Sequence, residues 1–87
     1  MVEFFAEQFP DGYLIISFEP WGMVMELQSY YKIDQKLYRK KMKEYGGKKD
    51  GCLYYFSTKE EAEAAIEWLE SMLLMKRLLG EDDEKRN

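Results

Sequence analysis

Cys52-Leu53-Tyr54-Tyr55-Phe56-Ser57-Thr58-Lys59-Glu60-Glu61-Ala62-Glu63-Ala64-Ala65 places a strand and the start of a helix side by side in one short span. Aromatic and aliphatic residues bounded by turn formers read as a strand over Cys52 to Phe56. Ser57 with Glu60, or Thr58 with Glu61, has the spacing of a capping box, in which side chain and backbone satisfy each other's free donors at a helix start. Beyond it Ala62, Ala65, Ile66, Leu69, Met72 and Leu73 recur at helical spacing and mark an inward face. Glu60, Glu61 and Glu63 sit at the positive end of the helix dipole, and Lys76 and Arg77 at the negative end. Gly80 is expected to close the helix, giving one domain over 1–80 and a charged tail over 81–87.

Working back from this span, Lys48 to Gly51 reads as a polar turn, and Gly46-Gly47 as the end of a preceding helix. Met23, Leu27, Tyr30, Tyr31, Leu37, Tyr38, Met42 and Tyr45 recur at spacings of three, four and seven. Asp34 interrupts that stripe. One long helix could run from about Met23 to Tyr45, or it could break near Ile33 and restart with Asp34 as N-cap. Met23, Met25 and Leu27 also alternate, so a short strand over Met23 to Gln28 is a third reading; helix is favoured. Further back, Val2 to Phe9 and Tyr13 to Glu19 are strand-like runs joined by Pro10-Asp11-Gly12, a hairpin signal consistent with a type I turn and a G1 bulge. The second run is apolar enough for a central strand covered on at least one face. The expected fold is α+β: a three-stranded, mostly antiparallel sheet with two helices on one face, in the order β-β-α-β-α.

Eighty-seven residues make one domain. With 46% hydrophobic and 34% charged residues the chain is globular in composition, and its aromatics can fill a small core. Cys52 is the one cysteine, so no disulfide can form within the chain, which fits a reducing, cytoplasmic setting. Lying in an apolar run, its thiol is expected to be buried and structural. Met1-Val2-Glu3 lacks the basic start of a signal peptide, and no apolar run is long enough to span a membrane.

Histidine is absent, which removes the commonest general base and metal ligand. One cysteine without histidine leaves no zinc set. No phosphate-cradling glycine pattern is present. Glu60-Glu61 is accounted for by capping, and the acidic run at 81–84 lacks the loop spacing of an EF-hand. No catalytic residue, cofactor site, metal site or small-molecule substrate is therefore expected.

The net charge of −4 hides a polarised distribution. Met1 to Tyr31 holds five acids and no base, Lys32 to Lys49 is strongly basic, and Gly51 to Asn87 is acidic again. Three surfaces follow. The basic segment offers Lys36, Arg39, Lys40 and Lys43 to a nucleic-acid backbone, with tyrosines as stacking faces. Its plainer reading, which is preferred, is an amphipathic helix with Tyr31, Leu37, Tyr38, Met42 and Tyr45 inward and the bases in water. The end of the last helix is apolar nearly all round: Leu74, Met75, Leu78 and Leu79, with Trp68, exceed what one face can cover and suggest a protein partner or a second copy. Packing of that helix on both the sheet and the other helix is the alternative. The acidic first third, with Trp21 exposed or half-exposed in its turn, could meet a basic partner, but the overall charge is too balanced for a polyanion mimic.

The stretch Asp50-Gly51-Cys52-Leu53-Tyr54-Tyr55-Phe56-Ser57-Thr58-Lys59-Glu60-Glu61-Ala62-Glu63-Ala64-Ala65 resembles the ends of small uncharacterised phage and prophage proteins. The resemblance covers a minor part of the chain and implies an accessory protein that binds a host or viral macromolecule; it transfers no functional residue. The expected function is thus a non-enzymatic protein-binding module, a modulator or inhibitor of another macromolecule, homodimeric through the last helix. Nucleic-acid binding by the basic segment 32–45 is the competing reading.

Overall fold

The computed structural model describes residues 3–79. β1 (Phe4–Phe9) and β2 (Gly12–Glu19) form the expected hairpin, with Phe9 opposite Gly12. Gly12 takes the positive φ, 138°, that the turn asks of a glycine. β3 (Gly22–Val24) pairs with the far end of β2, Phe18 against Met23. α1 (Leu27–Tyr30) and α2 (Gln35–Glu44) follow, then β4 (Lys48–Asp50), β5 (Leu53–Phe56) and α3 (Lys59–Leu78). The sheet is antiparallel throughout, in the order β1-β2-β5-β4 with β3 also on β2.

The α+β class and antiparallel sheet match the sequence reading; the counts do not. Among the described residues there are five strands and three helices where three and two were expected. The segment after Trp21 is not the favoured helix from Met23: Gly22–Val24 is a strand, shorter than the Met23 to Gln28 alternative, and helix begins only at Leu27 and breaks near Ile33. Lys32 adopts φ 56° at that break. The amides of Lys32 and Ile33 bond back to Ser29 and Gln28, closing α1 with a left-handed residue that is usually glycine. Asp34 does occupy the N-cap of α2, but its side chain makes no capping bond. Lys48 to Asp50, read as a turn, is an edge strand, and its charged side chains guard that edge against further pairing. Cys52 lies exposed in the turn before β5, which begins at Leu53, so the buried-thiol expectation is wrong. The closure at Gly80, the tail at 81–87 and the start of the first run at Val2 lie outside the described residues.

All three helices share one face of the sheet. Phe4, Ile15, Val24, Tyr54 and Phe56 point to that face and meet Leu27, Ile33, Tyr38, Met42, Ala62, Ala65, Ile66 and Leu69 in one buried cluster. Ser17 is buried on the same face, where its hydroxyl lies 2.8 Å from the Tyr31 hydroxyl. The Tyr31 proton goes to Glu19 at 2.5 Å, so Ser17 is the donor in the other bond. α2 ends as Gly46-Gly47 requires: Gly46 N–H donates to Lys43 and Gly47 N–H to Met42.

Thr58 caps α3, as one of the two capping-box alternatives anticipated. Glu61 N–H donates to its Oγ1 at 3.2 Å, and Thr58 N–H donates to Glu61 Oε1 at 3.3 Å. Thr58→Ala removes one half of that exchange and is expected to lower stability by about 1 kcal/mol. Chemical denaturation measures it; an unchanged midpoint would mean that water replaces the cap at no cost.

Candidate interaction surfaces

The last two turns of α3 are anchored on one side and bare on the other. Met72 and Leu73 pack against the core, and Trp68 is half-buried against it. Lys76 Nζ donates to the carbonyls of Tyr31 and Lys32 at 3.4 and 3.3 Å, tying this end of the helix to the α1–α2 break. Leu74 and Leu78, one turn apart on the outer side, are 55% and 73% exposed. Met75 and Leu79, seven and eleven positions beyond Trp68, continue its flank and are likewise exposed. Helical spacing thus gathers the anticipated residues at one end of the helix, except that Trp68 is largely committed to the core.

α2 presents Lys36, Arg39, Lys40 and Lys43 to solvent while Tyr38 and Met42 face inward. Leu37, expected inward, is partly exposed. Arg39 also borders an open cavity of about 270 Å³ between α1, α2 and the β4–β5 turn, together with Lys49, Glu26, Gln35 and Cys52. At its base Tyr54 packs edge-on against Tyr38, centroids 5.9 Å apart. The Tyr54 hydroxyl is buried with no protein partner among the described residues. Burial raises the pKa of both phenols, a rise that nearby Arg39 opposes at Tyr54. Burial, and then the proton it gives to Glu19, push Tyr31 up to about 12. These shifts extend the neutral range of the three phenols above that of free tyrosine.

No family model, curated protein or solved structure matches this chain. Its surfaces are therefore the whole basis for a functional argument.

One surface escaped the sequence reading. The side of the sheet opposite the helices carries Phe5, Phe9, Leu14, Ile16, Phe18, Met23 and Tyr55, all at alternate positions to the core-facing residues. Leu14 and Ile16 are buried there beneath their neighbours, while Phe18 is 56% exposed and Met23 and Phe5 are partly so. Phe5 and Phe18 meet edge-to-face at 5.7 Å. The signal was present: Phe4-Phe5 and Leu14-Ile15-Ile16 are apolar on both faces of their strands, where a one-sided sheet would alternate with polar residues. Trp21, expected to be exposed or half-exposed, is 66% exposed and leans on Tyr30 at 5.7 Å; Tyr30 in turn meets Tyr31. Among the described residues no helix is long and apolar enough to cross a membrane.

Proposed function

We propose that this chain is a non-enzymatic protein-binding module, an accessory modulator that captures another protein through the exposed end of α3. The supporting observation is the pairing of Leu74, Met75, Leu78 and Leu79 on a helix end that Lys76 holds in place. Apolar side chains displayed on a fixed helix lose little freedom when a groove closes on them, which is how helix-in-groove recognition gains affinity. A nucleic-acid reading has its own support in the exposed bases of α2 and in Lys49 beside Arg39. The acidic side chain of Glu26, which lines the same cavity as Arg39 and Lys49, weakens it.

Leu74→Glu with Leu78→Glu tests the first reading. Both side chains are mostly exposed, so the fold is expected to survive with unchanged helical signal, while nuclease-resistant protein capture by the tagged chain is lost. Capture equal to that of the unmodified chain would reject α3 as the surface. Recovery that disappears with nuclease and weakens steeply with salt would transfer the function to Lys36, Arg39, Lys40 and Lys43.

A further inference from the structure

We infer that the helix-free face of the sheet is the interface for a second copy of this chain, an assembly that does not depend on what α3 captures. A sheet bounded by water on one side normally alternates apolar and polar residues there. This one instead sets Phe5, Phe18 and Met23 around a buried Leu14 and Ile16.

The choice of a second copy over an unrelated partner comes from charge. Strand register lines up Glu7, Leu14, Tyr55 and Lys48 in one row across β1, β2, β5 and β4. The row is acidic at one end, apolar in the middle and basic at the other. A two-fold axis parallel to the strands, passing midway between β2 and β5, turns the row end for end. Glu7 of each copy then faces Lys48 of the other, and the apolar centres meet. A two-fold interface must be complementary to itself, and this row satisfies that condition twice over. Sheets stacked in this way keep their strands roughly aligned at about 10 Å separation, which the rings of Phe5 and Phe18 can fill. Asp50, the other charged residue of β4 on this face, is exposed on the same edge strand two residues from Lys48.

Sedimentation velocity of the whole chain over a range of concentrations is the test, with folding of each variant checked by circular dichroism. The unmodified chain is expected to sediment as a dimer at high micromolar concentration, and Phe18→Asp as a monomer throughout. Lys48→Glu, which sets acid against acid, is expected to weaken the dimer by about tenfold or more. Adding Glu7→Lys to Lys48→Glu is expected to restore it, since the row is then reversed but still self-complementary. Leu74→Glu with Leu78→Glu leaves the dimer intact, so failure of this interface and failure of the α3 surface are read separately. A monomeric unmodified chain would overturn the inference. So would a dimer that survives Phe18→Asp but is lost when Leu74 and Leu78 are changed, or a charge swap that fails to rescue.

Discussion

Gly12→Ala is expected to destabilise the domain by about 3 kcal/mol, a large fraction of what a chain of this size has. Two penalties combine. At φ 138° an alanine is held in a region that only glycine enters freely. A Cβ there would also lie 2.7 Å from the carbonyl oxygen of Phe56, a backbone atom of β5 that cannot swing aside. The residue therefore serves the β1–β2 turn and the approach of β5 together. Gly22 separates the two penalties. Its φ is 149°, yet nothing lies within 4 Å of where its Cβ would be, so Gly22→Ala carries the backbone cost alone. In thermal melts the Gly12 variant is expected to fall by roughly 4–8 °C per kcal/mol, some 12–24 °C in all, and the Gly22 variant by distinctly less. Equal losses would show that the contact with Phe56 is relieved by a small shift of β5.

Above about pH 10 the fold is expected to lose stability progressively, and tyrosine is the reason. The native state holds protons on Tyr31, Tyr38 and Tyr54 at pH values where free tyrosine, with a pKa near 10, has begun to lose them. A raised folded-state pKa means that the unfolded chain binds fewer protons in this window. The stability tied to these groups is complete below the unfolded pKa and is lost as pH rises toward and through about 12. At Tyr31 the loss has a direct cause, because a phenolate there would face the Glu19 carboxylate that now accepts its proton. At Tyr38 ionisation would put charge into the core beside Met42 and Ile33. The urea midpoint followed against pH, with tyrosinate absorbance read in parallel, is the measurement. A steep fall with coincident ionisation is expected, and Tyr31→Phe should make the fall shallower. Tyrosines that all ionise like free ones while the midpoint stays level would refute it.

What was legible in the sequence was whatever local chemistry determines. Pro10-Asp11-Gly12 and the Thr58–Glu61 capping box act within a few residues, and both are in place. β4 was not legible because Lys48, Lys49 and Asp50 contain no apolar residue; β5 alone makes that segment a strand. α1 is a single turn and β3 only three residues, both shorter than the periods used to recognise them. Cys52 was misplaced because its apolar neighbours suggested burial, whereas the turn at Gly51 leaves it outside. The leucines of α3 were legible as a surplus, since one helix face cannot bury them all. The open sheet face was not, because a continuous apolar run looks the same whether helices, a second sheet or nothing covers its second side.

The sheet itself is joined unevenly. β1, β2 and β3 are neighbours in sequence, so zipping them together closes only short loops. β5 reaches β2 through two residue pairs, Tyr13 with Phe56 and Leu14 with Tyr55, across about forty residues. The length-dependent entropy of closing such a loop is on the order of 3 kcal/mol, more than two strand pairs offset by themselves. α3 packs on β1, β2 and β5 together, and Phe56 is separated from its first residue by only Ser57 and Thr58. Docking the helix and seating the strand are thus one event: the burial of Ala62, Ala65, Ile66 and Leu69 supplies the free energy that holds the two halves of the sheet together.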